Sequence, residues 1–235
     1  MIIISEIFYS LQGESTKAGK LCVFIRLAGC NLHCKWCDTE YANYPVTIKQ
    51  IPKSNLQKNT YMSPKLFSIE EIIAKVQQYN CNFVEITGGE PLIQDESKEL
   101  ANRLIELGYE VAVETNGSVL LADLDTAITK IMDIKCPSSG MDKNNLYENI
   151  NYLNKKDEIK FVIASKDDFY WSIEVINRYK LYERTDNILF SAVSTEIKYN
   201  DLAELVLSIK DEEIKKVVRM QLQLHKVIWG NEIGR

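Results

Sequence analysis

The sequence has little of what several common protein classes need. It has two histidines in 235 residues, few for a hydrolase built on imidazole chemistry. No apolar run approaches the roughly 20 residues that a membrane-spanning helix needs, and Met1-Ile2-Ile3-Ile4 lacks the basic flank of a signal peptide. The formal net charge of −5 gives no electrostatic basis for holding nucleic acid. We therefore expect neither a membrane protein nor a nucleic-acid-binding protein.

Cysteines are too few for a disulfide scaffold, because a chain of this length has only six. Three of them, Cys22, Cys81 and Cys136, stand alone in or beside apolar segments, which predicts buried reduced thiols. Reduced thiols indicate a reducing, cytoplasmic compartment. With 46% hydrophobic residues, a single domain over residues 1–235 can bury a sizeable core.

The other three cysteines fall within one stretch, Cys30-Asn31-Leu32-His33-Cys34-Lys35-Trp36-Cys37. This spacing fits three thiolates at three corners of a cubane iron–sulfur (4Fe–4S) cluster, without the fourth cysteine of an electron-transfer site. An uncovered iron can bind a substrate or cofactor, as the open position of a catalytic metal site does. A zinc site that adds His33 or a distant cysteine is the alternative. The second pair of closely spaced ligands typical of zinc sites is absent, so the pattern favours the cluster.

Hydrophobic periodicity predicts alternating strands and helices. The predicted strands lie at 2–8, 22–27, 83–87, 109–114, 131–135, 159–164 and 188–193. The predicted helices begin at Ser68, with Glu71 completing a capping box, and lie at 97–107, 121–129, 146–153, 168–182 and 201–209. This alternation demands a parallel sheet, and six units are two short of a closed eightfold barrel. We expect an α/β fold with an open, partial (β/α)6 barrel, and a polar loop insertion at about 41–64 with a short strand at 46–51. The insertion either covers the cluster or decorates the surface.

Polar residues collect where four predicted strands end. Arg26 and Cys30 belong to the first of these strand ends, 87–90 to the second, 114–117 to the third and 133–139 to the fourth. Barrel-like parallel sheets place their active sites at this edge. Gly88-Gly89 can bring bare backbone against a ligand, although an ordinary turn is the plainer interpretation. The arginine needs an anion inside an apolar strand, and Glu14 or Glu6 can supply one in an ion pair.

The C-terminal stretch 217–229 carries a second polar pattern. Gln223 and His225 alternate with Leu222 and Leu224, which fits a short strand with two polar side chains on one face. A capped edge strand would explain this pattern without any function.

The cysteine spacing resembles that of the radical S-adenosylmethionine (SAM) enzymes, and the flanking motifs resemble their 7-carboxy-7-deazaguanine synthase family. The motifs that carry the resemblance are Leu11-Gln12-Gly13-Glu14, Phe24-Ile25-Arg26-Leu27-Ala28-Gly29, Trp36-Cys37-Asp38-Thr39, Thr87-Gly88-Gly89-Glu90-Pro91, Glu114-Thr115-Asn116-Gly117 and Asp133-Ile134-Lys135. The resemblance implies a ring contraction of 6-carboxy-5,6,7,8-tetrahydropterin to 7-carboxy-7-deazaguanine with release of ammonia, on the path to queuosine. It also implies that the open iron chelates SAM and that an electron from the cluster cleaves SAM to an adenosyl radical.

By the same resemblance, the cluster ligands are Cys30, Cys34 and Cys37, and Thr39 contributes to a Mg²⁺ ion, although by sequence alone this threonine is a turn residue. The implied substrate-binding residues are Leu11, Gln12, Gly13, Glu14, Arg26, Thr87, Gln223 and His225. The implied cofactor-binding residues are Trp36, Asp38, Gly89, Glu90, Glu114, Asn116, Lys135, Cys136, Pro137 and Ser138. For Glu114, Asn116, Lys135 and Ser138, a solvated loop end is the alternative. The implied partners are an external electron donor such as flavodoxin or ferredoxin and, as a candidate assembly, a second copy in a homodimer.

Two other functions share parts of this pattern. A glycyl-radical-enzyme activating enzyme has the same size and cysteine spacing but acts on a protein. The segment from Leu11 to Glu14 and Arg26 argue against it, because they suit a small carboxylated substrate. A non-catalytic iron–sulfur or zinc module is the second alternative, and the glycine-rich strand ends argue against that.

Overall fold

The computed structural model describes residues 1–43 and 64–230 together with residues 232 and 234. In this part of the chain, nine strands form one sheet. The strands are β1 (Ile2–Leu11), β2 (Leu21–Leu27), β3 (Lys65–Phe67), β4 (Phe83–Gly88), β5 (Glu110–Thr115), β6 (Thr129–Ile134), β7 (Glu158–Ile163), β8 (Asn187–Ala192) and β9 (Val218–Gln221). The helices are α1 (Ile69–Gln77), α2 (Glu96–Glu106), α3 (Lys166–Arg178), α4 (Leu181–Arg184), α5 (Tyr199–Leu207), α6 (Glu212–Val217) and α7 (Leu224–Trp229).

The sheet is open, and its strands follow the order β3-β1-β2-β4-β5-β6-β7-β8-β9. From β2 through β9 every neighbouring pair is parallel, whereas β1 pairs antiparallel with both β2 and β3. The six predicted parallel strands are therefore confirmed, and β9 adds a seventh. The predicted insertion at 41–64, with its strand at 46–51, lies outside the described residues except for residues 41–43 and Pro64.

Helices α1 to α6 cover one face of the sheet because each has a single apolar side. α1 begins with the predicted capping box, in which the Ser68 hydroxyl accepts from the Glu71 amide and the Glu71 carboxylate accepts from the Ser68 amide. The side chains buried between helices and strands include Ile25, Ile86, Val113, Phe161 and Phe190. A smaller apolar cluster, which includes Cys22, Phe24 and Phe83, lies on the opposite face of the sheet.

Some predicted elements are wrong. No helix covers 121–129, because the Asp125 carboxylate accepts from the Ala127 amide in a turn and β6 begins at Thr129. The helix predicted at 146–153 is a 3₁₀ helix, in which the Asn149 side chain bonds the backbone of the segment 117–121. The helix predicted at 168–182 is divided into α3 and α4 by Lys180, whose φ of 47° is left-handed.

A loop crosses the second face of the sheet. The Gln12 side-chain nitrogen, Nε2, donates to the carboxyl of Glu85 in β4. The backbone amide of Ser15 donates to Gln221 Oε1 of β9 at 2.9 Å, and that of Thr16 donates to the Glu158 carboxylate of β7 at 3.1 Å. In a flat sheet β4 and β9 would lie about 24 Å apart, at about 4.8 Å per strand. Three extended residues reach only about 11 Å. The sheet therefore curves around the segment 12–16, and this segment lies inside an open partial barrel.

Candidate active site

The three closely spaced cysteines lie on the loop that follows β2. All three are free, partly buried thiols. Cys30 Sγ accepts from the Leu32 amide at 3.4 Å and from Asn116 Nδ2 at 3.8 Å, and Cys37 Sγ accepts from Asn43 Nδ2 at 3.9 Å. Burial raises the pKa of the Cys30 and Cys34 thiols, so a cluster must displace protons when it binds. In the described part of the chain, no three His, Cys, Asp or Glu side chains are grouped to hold a single ion.

Two glycines hold this loop against the end of β4. Gly88 has a φ of +148°, and a Cβ on it would lie 2.3 Å from Leu27 O. A Cβ on Gly89 would lie 2.3 Å from Gly29 O and 2.8 Å from Cys30 Cβ. Neither distance leaves room for a side chain. The glycine pair is therefore needed for the close approach of β4 to the cysteine loop itself.

Glu90 fixes the next loop along the sheet. Its side chain is fully buried, and its carboxylate accepts from the Leu92 amide at 3.0 Å, the Thr115 hydroxyl at 2.8 Å and the Asn116 amide at 2.6 Å. Burial raises the pKa of Glu90 to about 7. The Asn116 side chain in turn donates to Asn31 Oδ1 at 3.1 Å. Glu90 thus positions Asn116 beside the cysteine loop.

Arg26 forms an ion pair with Glu6, which is one of the two roles that the sequence predicted for this arginine. Its Nε donates to Glu6 Oε1 at 2.7 Å, and the Tyr41 hydroxyl donates to the same oxygen at 2.8 Å. The guanidinium carbon lies 5.7 Å from the centre of the Phe8 ring and 6.0 Å from that of Tyr41. Both terminal nitrogens lack a partner among the described residues. They remain available for a second anion.

Lys160 of β7 is the centre of a charged cluster inside the barrel. Its side chain is 7% exposed, and Nζ lies 3.2 Å from Glu14 Oε2. It also donates to Glu114 and lies 3.9 Å from Asp133 Oδ2. Burial alone would lower the pKa of Lys160, but these carboxylates outweigh it and raise the pKa well above its usual range.

Two further carboxyl groups of the interior have opposite shifts. Burial alone would raise the pKa of Glu114, but Lys160 outweighs it and keeps this pKa below its usual range. Burial, reinforced by the nearby Glu114, raises the pKa of Glu85 well above its usual range. Gln12 Nε2 donates to the Glu85 carboxyl.

The C-terminal segment is not the strand predicted from its alternation, because β9 ends at Gln221 and Gln223 precedes the first turn of α7. The Leu224 amide donates to Gly13 O at 2.8 Å, which turns the chain over the interior loop. Gln223 Nε2 donates to Glu14 Oε1 at 2.8 Å. A Cβ on Gly13 would lie 2.1 Å from His225 Nδ1, so this glycine makes room for the imidazole. Burial lowers the pKa of His225.

The remaining predicted residues surround this mouth. Thr87 donates to Glu114 at 3.2 Å, Thr39 donates to Asp38 at 3.0 Å, and Lys135 donates to Asp133 at 2.8 Å. Leu11, Trp36 and Ser138 are partly buried, whereas Pro137 is exposed. Cys136 corrects the sequence assignment: its side chain is 1% exposed and packs in the helix-side core beside Ser172, so only its backbone can face a cofactor.

Sequence reasoning missed several residues of this site. They are Tyr41, Glu85, Lys160, Gln221 and Lys226. A signal for two of them was present, because Glu85 and Lys160 are charged residues inside otherwise apolar strands, as Arg26 is. Lys226 had no such signal, since its ion pair with Asp38 at 2.9 Å depends on the turn that begins α7.

Comparisons with known proteins agree with this geometry. Residues 24–209 match the Radical SAM superfamily. A 7-carboxy-7-deazaguanine synthase of Koribacter versatilis is 37% identical over 243 residues, with 97% of each chain covered. One of Clostridium acetobutylicum is 38% identical, with 97% of this chain and 96% of the relative covered.

A solved structure supports the same placement. The crystal structure of QueE from Escherichia coli is similar with a TM-score of 0.73 and 25% identity, and the match covers 95% of this chain and 94% of that one. Matches of this length take in the cysteine loop, the barrel interior and the C-terminal segment. The chain therefore belongs to the radical SAM superfamily and, within it, to the family of the 7-carboxy-7-deazaguanine synthases.

Proposed function

We propose that this protein is a 7-carboxy-7-deazaguanine synthase, which converts 6-carboxy-5,6,7,8-tetrahydropterin (the carboxypterin) to 7-carboxy-7-deazaguanine with release of ammonia. The observation that carries the proposal is the end-to-end similarity to two curated synthases. The structure supports it with a cysteine loop and a charged interior that open to the same edge of the sheet. Neither a glycyl-radical-enzyme activating enzyme nor a non-catalytic module gains support from these relatives.

The residues fit the cluster and SAM that the superfamily implies. Cys30, Cys34 and Cys37 offer three thiols on one loop and no disulfide, which suits a cluster with one open iron. The backbone of Gly89 and the Asn116 side chain lie directly beside Cys30, where SAM would meet that iron. When bound, the cluster and SAM supply the radical that abstracts hydrogen from the substrate.

The barrel interior supplies the substrate contacts. The terminal nitrogens of Arg26, which have no partner among the described residues, suit the carboxylate of the carboxypterin, because a guanidinium fork can bind both oxygens. Glu14, Glu114 and Thr87 offer acceptors and a hydroxyl to the ring system, and Gln223 and His225 cover the opening. Gln12 and Gly13 shape the loop that carries Glu14, and Leu11 leads into it. These groups orient the substrate and exclude water from it.

Thr39 and Asp38 are the candidates for a Mg²⁺ site near the substrate. Their side chains hydrogen-bond each other at 3.0 Å at the end of the cysteine loop. Mg²⁺ prefers oxygen ligands and keeps several waters, so one hydroxyl, water and the substrate carboxylate would complete the site. Asp38 holds Lys226 in an ion pair, which places the C-terminal helix beside the same position.

The proposed function also implies an electron donor and a cellular compartment. The cluster needs an electron from an external protein such as a flavodoxin or ferredoxin, and free thiols suit a reducing cytoplasm. A homodimer is the candidate assembly. No helix in the described part of the chain is long and apolar enough to cross a membrane.

Anaerobic turnover tests the proposed function. The reconstituted protein, given SAM, a reductant and the carboxypterin, should form 7-carboxy-7-deazaguanine and ammonia in equal amounts. A Cys34→Ala variant, which lacks one thiol on the cluster loop, should form neither, whereas Cys81→Ala should match the unsubstituted protein. Reductive cleavage of SAM without consumption of the carboxypterin would contradict the proposal while leaving the superfamily assignment intact.

A further inference from the structure

Lys160 lies where several parts of the barrel interior meet, and none of the sequence motifs includes it. It is the middle residue of the β7 sequence Ile159-Lys160-Phe161. The neighbouring Ile159 and Phe161 face the helices, so Lys160 faces the interior together with Asp133, its partner in the register of β6 and β7. Its side chain is 7% exposed, which leaves its ammonium dependent on protein partners.

Two of its carboxylate partners depend on it for a counter-ion. Asp133 also pairs with Lys135 at 2.8 Å, so it has a second cation. Among the described residues, Glu14 and Glu114 have no ion pair except the one with Lys160. Their other partners are neutral. Without Lys160, the two partly buried like charges would have no cation in contact.

Glu14 connects Lys160 to the C-terminal segment by hydrogen bonds. Its Oε2 accepts from Lys160 at 3.2 Å and from Gln221 Nε2 at 3.2 Å, and its Oε1 accepts from Gln223 Nε2 at 2.8 Å. The adjacent Gly13 carbonyl accepts from the Leu224 amide. One ammonium on β7 therefore anchors the carboxylate that fixes the segment over the opening.

We propose that Lys160 is a positioning residue for the reaction: it holds Glu14 and Glu114 as oriented carboxylates and, through Glu14, keeps the segment 221–225 closed over the substrate. This inference rests on the proposed function for its catalytic part. Its structural part, the anchoring of the C-terminal segment, stands independently of the substrate.

The sign of the pH effect follows from the charges around Lys160. Beyond its three contacts, the groups that act at longer range on Lys160 are Glu85, Glu158, Lys135 and Asp38, and those that act on its carboxylate partners are His225 and Arg26. Removing the ammonium leaves three carboxylates, Glu14, Glu114 and Asp133, with Lys135 and the more distant Arg26 as cations. Without this cation the pKa of Glu114, which Lys160 holds below its usual range, must rise. Activity that needs an ionised Glu114 is then lost at lower pH and recovers as pH rises.

Hydrogen exchange on the reconstituted full chain, without substrate, tests the anchoring. In Lys160→Met the amide of Leu224 and its neighbours in α7 should exchange about tenfold faster or more, because their closed position loses its anchor. Lys155→Met, on the exposed turn before the same strand, is the matched control and should not change this exchange. Equal exchange in Lys160→Met and the unsubstituted protein would overturn the proposal.

The pH profile of turnover tests the catalytic part. For Lys160→Met, kcat/KM for the carboxypterin should fall about tenfold for each pH unit below the raised pKa of Glu114, whereas iron content should be unchanged. Lys160→Arg should restore a profile parallel to that of the unsubstituted protein. A Lys160→Met profile that is lowered equally at every pH would overturn the proposal.

Lys160→Met leaves the Glu14 and Glu114 carboxylates without their cation, which destabilises the folded protein. A second variant therefore keeps the anchoring testable if Lys160→Met does not fold. Lys160→Met/Glu114→Gln removes one of the two carboxylates and should fold more readily, with the C-terminal exchange still fast. Slow exchange in this variant would overturn the anchoring. If the unsubstituted protein does not turn over the carboxypterin, the proposed function fails, and the exchange experiment still decides the role of Lys160.

Discussion

Replacing Arg26 by lysine changes the shape of a cation without removing its charge. The lysine ammonium can still pair with Glu6, to which Arg26 Nε now donates at 2.7 Å, so the folded protein should remain stable. The terminal nitrogens of the guanidinium, which lack a partner among the described residues, are lost. If they hold the substrate carboxylate, one ammonium cannot replace their two parallel hydrogen bonds.

The size of the loss follows from the surroundings of Arg26. Its side chain is 17% exposed and lies near the Phe8 and Tyr41 rings, so little water screens it. Truncating one partner of such a charge pair costs about 2–5 kcal/mol. This is roughly 30-fold to 4,000-fold in affinity, at about 1.4 kcal/mol per factor of ten. Arg26→Lys should fall at the lower end of this range and Arg26→Ala at the upper end.

A comparison of two ligands isolates the carboxylate. Binding is measured for the carboxypterin and for tetrahydropterin without the carboxylate, on reconstituted protein under anaerobic conditions. The unsubstituted protein should prefer the carboxylated ligand, and Arg26→Ala should lose that preference. Glu6→Gln is the control, because it removes the ion pair and leaves the guanidinium. A preference that survives in Arg26→Ala would leave Arg26 only its structural pairing with Glu6.

Four further predictions concern other parts of the site. Cys34→Ala should lose the roughly four irons per chain of a cubane cluster, measured by iron and sulfide analysis. The triple Cys22/Cys81/Cys136 alanine variant should keep them. Loss of iron from the triple variant, with iron retained in Cys34→Ala, would refute the ligand assignment. Gly89→Ala should also lose iron, because its Cβ would lie 2.3 Å from Gly29 O; normal iron content would contradict that packing argument. Thr39→Ala should need more Mg²⁺ than Thr39→Ser for half-maximal rate, and identical curves would remove this residue from the metal site. Burial raises the pKa of Glu90 from 4.5 to about 7. Between these two pH values the folded protein keeps a proton that the unfolded chain loses. The free energy of unfolding should therefore fall by about 3 kcal/mol as pH rises through this range. Chemical denaturation at several pH values should show a smaller fall in Glu90→Gln, and equal slopes would count against this shift.

The fold was largely predictable because its strongest signals are local. Each of the six apolar strands of the parallel sheet is bounded by turn residues, and Ser68 begins its helix with the expected capping box. The errors lie where tertiary contacts overrule local pattern. Asn149 bonds the backbone of the segment 117–121, and the region predicted as a helix is a 3₁₀ helix. The turn at Gln223 depends on a bond from Leu224 to Gly13, which is distant in sequence.

The site was predictable only in part for the same reason. The cysteine loop and the strand ends carry motifs with fixed spacing, so the sequence placed Cys30, Gly89 and Asn116 together. The interior cluster around Lys160 joins residues from a loop and three strands, and no short-range spacing predicts such a meeting. A charged residue within an apolar strand was the one available signal, and it applied to Lys160 as well as to Arg26.

The ratio of product to cleaved SAM tests the central claim most directly. If the protein performs the proposed ring contraction, the hydrogen abstracted from carbon 6 of the carboxypterin returns after rearrangement and SAM is regenerated. Anaerobic turnover should then yield many molecules of 7-carboxy-7-deazaguanine for each 5′-deoxyadenosine released, as chromatography with mass detection would show. Release of 5′-deoxyadenosine without any 7-carboxy-7-deazaguanine would contradict the account.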